Sequence, residues 1–181
     1  MKNQECYDKN GKFLGWFSRS MSVAVFIFRK NKSKWEVLTE IRGSGAADFQ
    51  GKRCCVCGYC EFDDTLDETC TKEILQETNL SHHPERLIMV DVNSSPKSNH
   101  QNITAHYVYV LKGDEKMEFE KRTGGEENEI KSVEWIDVCR LPSDFCFNHD
   151  VLIKEYVSRL RKNNIFNRIK GAILGKRYIY Y

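Results

Sequence analysis

The feature that most constrains this chain is a helix with both ends written into the sequence. Thr65 and Glu68 have capping-box spacing, in which a hydroxyl and a carboxylate satisfy free backbone N–H groups of the first turn. Leu66, Cys70 and Ile74 then recur on one face, so the periodicity predicts a helix over residues 65–78. Asn79 follows, a residue that tolerates the left-handed conformation in which helices commonly end. Segments of the other period surround it. Residues 21–28 (MSVAVFIF) are apolar and β-branched, and residues 35–41 (WEVLTEI) alternate; a polar turn at 31–34 separates these two expected strands. Residues 86–92, 103–111 and 132–136 read as further strands, and residues 43–51 as a loop. Val151, Leu152, Tyr156, Val157 and Leu160 place a second helix at 150–162. There is no internal repeat. Strands mixed with two separated helices predict an α/β or α+β sandwich around one sheet.

Composition narrows the function classes. With 181 residues, one domain with a full core is expected. Lys and Arg number 28 against 26 Asp and Glu, a balance that argues against a nucleic-acid coat or a polybasic membrane anchor. Three prolines and eleven glycines exclude a long disordered or collagen-like region. No run approaches the ~20 apolar residues of a spanning helix. The first residues, MKNQEC, have no apolar segment behind them, so the eight cysteines are expected to be reduced thiols in a cytoplasm.

The chemistry is concentrated on the predicted helix. Glu73, Gln76 and Glu77 stand at i, i+3 and i+4 and therefore share one face. Two carboxylates and an amide oxygen in one patch suit a hard divalent cation such as Mg²⁺, which takes oxygen ligands together with waters and substrate phosphates. A solvated helix face is the plain alternative. The preceding loop, with Gly58 and its own acids Glu61 and Asp64, favours the ion.

This segment resembles the Nudix box, G-x5-E-x7-R-E-U-x-E-E-x-G-U with U aliphatic. Gly58, Glu73, Ile74, Glu77 and Leu80 fall on the pattern without a gap, while Asp64, Lys72, Gln76 and Asn79 replace Glu, Arg, Glu and Gly. The residue 22–28 strand, the acidic run 126–129 before Val133-Glu134-Trp135, Leu141-Pro142 and Phe147-Asn148-His149 are similar to other parts of the family, so the resemblance covers roughly residues 20–162. It implies an α/β/α sandwich with a mixed sheet and Mg²⁺- or Mn²⁺-dependent hydrolysis of a diphosphate linked to another group. It implies that Glu73 and Glu77 bind metal, with the Gly58 or Cys57 carbonyl nearby and Gln76 offering a neutral oxygen. Lys72 would orient a neighbouring carboxylate without the bidentate fork of Arg, and Asp64 would support it. A general base would come from Glu127 or Glu129. A weak nucleotide-binding regulator using the same pocket is the alternative that Lys72 and Gln76 suggest.

Further residues carry weaker expectations. Arg42 is a candidate phosphate contact, with a surface charge the alternative, and Phe49, Tyr59 and Phe62 are candidates to stack on a base, with core packing the favoured reading for any one of them. Specificity is expected in the loops 43–51 and 93–102. Phe147-Asn148-His149 tilts the reading towards a nucleoside diphosphate linked to a sugar, ADP-ribose-like or a sugar nucleotide. Cys54, Cys55, Cys57 and Cys60 contain two overlapping C-x-x-C spacings, for which zinc is the sharp reading. No second knuckle is present, and successive residues of a strand point to opposite faces, so these cysteines are expected to be small buried residues. His82 and His83 are expected in an exposed turn and His149 bonded locally to backbone, while His100 and His106 bracket a strand start, with an approach to substrate the disfavoured reading for both. Residues 163–181 form a basic tail with helically spaced apolar residues, outside a domain of residues 1–162. Packing on the domain or across a dimer is favoured over a membrane-surface helix. The partner expected is a small-molecule nucleotide, with no stable nucleic-acid complex; a homodimer is left open.

Overall fold

The computed structural model of the chain describes residues 4–99, 101–121 and 128–162. In order, the elements are β1 (Gln4–Tyr7), β2 (Phe13–Phe17), β3 (Ser20–Asn31), β4 (Lys34–Arg42), β5 (Arg53–Cys54), β6 (Val56–Tyr59), α1 (Leu66–Thr78), β7 (Ile88–Asn93), β8 (Asn102–Val110), β9 (Ile130–Asp137) and α2 (His149–Arg161). Short 3₁₀ turns occupy Pro84–Arg86 and Phe119–Lys121.

The predicted run at 21–28 is the centre of the molecule. It belongs to the 12-residue β3, which pairs parallel with β8, antiparallel with β6 through Ser22–Val25 and antiparallel with β4 through Phe28–Asn31. The resulting seven-stranded sheet is mixed, with β5-β4-β3-β8-β7 as its spine and β9 on β4. Its side chains alternate between two buried layers. Ala24, Phe26 and Phe28 pack with Ile153, Tyr156, Val157 and Leu160 of α2. Val23, Val25 and Ile27 pack with Cys70 and Ile74 of α1. Burial on both faces explains why β3 reads as a continuous apolar run rather than an alternating one. The architecture is the α/β/α sandwich that the sequence implied.

Both ends of α1 form as read. Thr65 and Glu68 make a reciprocal capping box, and Asn79 closes the helix in the left-handed conformation at φ 48°, its N–H donating to Leu75. Other boundaries shift. The strand expected from residue 86 begins at Ile88, because Pro84 starts a 3₁₀ turn. The last strand begins two residues earlier than expected, at Ile130. The β1–β2 hairpin was not anticipated; its signal is the turn segment Asp8-Lys9-Asn10-Gly11, where Gly11 takes φ 81° and Asp8 binds the Asn10 and Lys12 N–H groups. All eight cysteines are free thiols. Among the described residues no helix is long and apolar enough to cross a membrane.

Candidate active site

The site lies where α1 crosses the β6 end of the sheet. Gly58 on β6 comes so close to α1 that a Cβ placed there would lie 1.8 Å from Glu73 Oε1. The missing side chain is therefore the seat of the Glu73 carboxyl. One turn further along α1, Glu77 is 4% exposed and its Oε2 accepts the Cys57 N–H at 3.1 Å. Glu40 approaches the same region from β4. It is 1% exposed; its Oε1 accepts from the Cys54 thiol at 3.1 Å and its Oε2 has no hydrogen-bond partner.

The loops bring another acid. The Gly43 N–H donates to the Glu129 carbonyl at 2.5 Å and the Gly45 N–H to the Asn128 carbonyl at 3.0 Å. A Cβ on Gly43 would lie 1.9 Å from the Asn128 oxygen, so this close approach requires glycine. The contact holds Glu129 where its charge acts on Glu73 and Glu40.

The electrostatic result is an excess of buried acid. Burial pushes the Glu73 carboxyl up from 4.5 to about 7, with Glu129 and Glu61 adding repulsion. Burial likewise raises Glu40 to about 7. Glu77 is pushed well above the usual carboxylate range, again first by burial and then by Glu40. Such a group of carboxyls gains stability from a cation that shares their oxygens. The donor set, oxygen from Glu73 and Glu77 with the nearby strand backbone, fits a hard divalent ion. Gln76 is half-buried on the adjoining helix surface.

Lys72 and Asp64 come together away from the buried carboxyls. Lys72 Nζ lies 2.6 Å from both Asp64 oxygens and so ties the loop before α1 to the helix. Arg42 is buried, and its guanidinium binds the Asp48 carboxylate and carbonyl, each at 2.9 Å. It also lies over the Phe147 ring, against which Phe49 packs edge-on with centroids 5.0 Å apart. Phe49 and Phe147 are exposed and both have positive φ, so neither is core. Tyr59, one residue past Gly58, is exposed and its hydroxyl accepts from Asn102 Nδ2 at 3.2 Å. Phe62 is fully exposed. The core-packing alternative is thus wrong for Phe49, Tyr59 and Phe62.

His106 is buried on the α2 layer, with Nδ1 2.7 Å from the Tyr156 hydroxyl, and does not approach the carboxyls. Two other histidine expectations are corrected. His149 is not bonded locally through its ring. Its Nδ1 accepts the Cys55 N–H at 3.0 Å, tying the start of α2 to the β5–β6 junction. His82 is half-buried against Tyr109, and the His83 N–H donates to the Tyr109 hydroxyl. Glu127, His100 and the tail 163–181 lie outside the described residues. Sequence reasoning missed Glu40, which looks like an ordinary polar position of an alternating strand until β4 pairs it with Cys54.

The fold is shared with solved structures of low sequence identity. A MutT/nudix family protein from Enterococcus faecalis superposes with a TM-score of 0.65 at 16% identity, covering 84% of this chain and 66% of that one. The NUDIX domain of Shewanella oneidensis NrtR, complexed with ADP ribose, gives 0.62 at 18% identity, covering 85% and 94%. A bifunctional NMN adenylyltransferase/ADP ribose pyrophosphatase from Francisella tularensis, complexed with AMP and a Mn ion, gives 0.59 at 16%, covering 78% of this chain and 42% of that one. No curated protein matches the chain by sequence. The model of the NUDIX domain matches residues 18–156, most of the chain and all of the site just described, and the chain therefore belongs to the Nudix family.

Proposed function

We propose that this Nudix pyrophosphohydrolase cleaves the diphosphate of a nucleoside diphosphate linked to a sugar, with Mg²⁺ or Mn²⁺ as cofactor. The observation that carries this reading is the packing of the Glu73 carboxyl onto the bare backbone of Gly58, with Glu77 buried beside it. Glu73 and Glu77 would hold the ion, with the Cys57 or Gly58 carbonyl and Gln76 as neutral oxygen donors. A bound divalent ion neutralises diphosphate charge and lowers the pKa of an attacking water.

The remaining roles belong to side chains. Glu129 is the base candidate of the described loop: it is half-buried, close enough to act on Glu73, and fixed in place by Gly43. Its carboxylate would take the proton of the attacking water. Lys72 holds Asp64 and so fixes the loop between Gly58 and α1. Phe49 and Phe147 form an aromatic wall suited to a planar base, and Arg42 behind them would meet a phosphate in exchange for its Asp48 partner. Tyr59, exposed one residue past Gly58, is a further candidate substrate contact. ADP ribose in the Shewanella domain, and AMP with Mn in the Francisella enzyme, support this substrate class.

A panel assay tests the proposal. The full chain is incubated with ADP-ribose, sugar nucleotides, NADH, dinucleoside polyphosphates and nucleoside triphosphates, with Mg²⁺, Mn²⁺ or chelator. Metal-dependent release of a nucleoside monophosphate from ADP-ribose or a sugar nucleotide is expected. Silence on all substrates, with retained nucleotide binding, would replace catalysis by sensing.

A further inference from the structure

The double C-x-x-C spacing is not used by the proposed hydrolysis, yet two of its thiols converge. One ligand atom each from Glu40, Cys54 and Cys57 lie within 4.8 Å of one another. In a regular strand, residues i and i+3 point to opposite faces. Here the pairing breaks at Cys55, between β5 and β6, which allows Cys54 and Cys57 to share a side. The third donor comes from a different strand: β4 pairs antiparallel with β5 so that Glu40 stands opposite Cys54.

We propose that Glu40, Cys54 and Cys57 form a second metal site, selective for a thiophilic cation of the Zn²⁺ class. The thiols are the deciding chemistry, because thiolates favour Zn²⁺ over the hard ions that suit the Glu73 and Glu77 oxygens. Zn–S bonds of about 2.3 Å in a tetrahedron place donors about 3.5–3.8 Å apart, a small adjustment of the observed cluster.

A second observation points to the same ligand. Glu40 is 1% exposed and its Oε2 meets no N–H or thiol donor, facing the equally buried Glu77 carboxyl instead, a costly state that an ion would relieve. The Cys146 thiol neighbours that of Cys54 and donates to the Arg53 carbonyl at 3.3 Å, outside the three-atom cluster, so a water or exogenous donor would complete the tetrahedron. The Arg42 guanidinium lies close enough to balance the charge of two thiolates and a carboxylate around a divalent ion. Binding forms two sulfur–metal bonds and releases the two thiol protons to solvent; no oxidant or reductant takes part. The missing second knuckle of the sequence is thus replaced by a single residue of β4, Glu40.

The test uses Co²⁺ as the spectroscopic probe. Chelator-washed, reduced full chain in excess Mg²⁺, which occupies the oxygen site, is titrated with Co²⁺. A thiolate-to-cobalt charge-transfer band should grow to one equivalent and be erased by added Zn²⁺. Cys54→Ser or Cys57→Ser should abolish it, and Glu40→Gln should weaken Co²⁺ binding at least tenfold. Cys139→Ser, an exposed thiol elsewhere, and Glu73→Gln should leave it intact. A parallel measurement needs no variant: Zn²⁺ should protect the half-buried Cys57, but not the exposed Cys139, from alkylation mapped by mass spectrometry. Absence of the band in the unmodified chain, its survival in both cysteine variants, or uniform alkylation with and without Zn²⁺ would overturn the site. Each readout is independent of turnover, so it stands or falls separately from hydrolysis.

Discussion

Two buried polar clusters lie on opposite faces of the same sheet and make opposite use of burial. On the α2 face, His106, His149 and Tyr156 surround Phe26. Their polar atoms are matched as neutral partners: His106 with the Tyr156 hydroxyl, His149 with the Cys55 N–H. Burial holds His149 neutral by lowering its pKa to about 3, with His106 and Arg42 acting in the same direction. On the α1 face, Glu40, Glu73 and Glu77 are acids in excess, with one buried carboxyl oxygen unpartnered. The first cluster is complete as built and serves stability. The second is incomplete as a set of protein atoms, and incompleteness of that kind is the physical mark of a site that expects a ligand.

The largest effect should come from breaking the second cluster. Glu77→Gln is expected to lower turnover at least about a hundredfold, since even outer-shell partners of a metal contribute 10–100-fold. The same variant should leave metal-free thermal stability unchanged or raised at about pH 8, because it removes one of several repelling acids. A drop in both activity and metal-free melting temperature would make Glu77 a structural residue. The mirror experiment breaks the first cluster. His149→Ala should cost about 2–4 kcal/mol in denaturant unfolding, through a cavity and an orphaned Cys55 N–H. Its turnover per folded molecule should be nearly unchanged.

Gly58→Ala sharpens the contrast within the site. The new Cβ would displace the Glu73 carboxyl, so the Mg²⁺ concentration for half-maximal rate should rise about tenfold or more. Unaltered metal dependence would show that Glu73 is not seated there to bind an ion.

The clusters should also titrate with opposite signs. For Glu73, the unfolded chain loses a proton near 4.5 that the metal-free fold keeps until about 7, so metal-free stability falls as pH rises through that window. A cation binding the ionised form reverses this, and the melting-temperature gain from Mg²⁺ should be larger at about pH 8 than at about pH 5.5. For His149, the unfolded chain takes up a proton below 6.5 that the fold refuses until about 3. Its contribution to stability should therefore fall by about 1.4 kcal/mol per pH unit on acidification, a slope that disappears in His149→Ala. The smallest effect is expected for Lys72→Ala: Lys72 is exposed although its partner Asp64 is largely buried, so the melting temperature should fall by no more than a few degrees and turnover only a few-fold.

The sequence made local features legible. The capping box at Thr65, the Asn79 cap and the spacing from Gly58 to Leu80 are short-range patterns, and each forms as read. The two-sided burial of β3 is visible in its unbroken apolar run. Contacts set by strand register are invisible in one dimension. Glu40 meets Cys54 only because β4 pairs with β5, and His149 reaches Cys55 only because α2 packs across the sheet. One premise of the cysteine reading changes in the same way: a regular strand would separate Cys54 from Cys57, and the break at Cys55 does not. Phe49 escaped the core-packing expectation: it stands exposed in a flanking loop at φ 50°, packed on the Phe147 ring.

The most direct test of the central claim counts ions on the α1 face. Mn²⁺ binding to the full chain is followed by electron paramagnetic resonance at neutral pH, with Zn²⁺ added first to fill the thiol site. The account predicts saturable Mn²⁺ binding that Mg²⁺ displaces and that weakens at least tenfold in both Glu73→Gln and Glu77→Gln, while His149→Ala binds as the unmodified chain does. Equal Mn²⁺ affinity in all four proteins would contradict it, and the buried acids would then need another explanation.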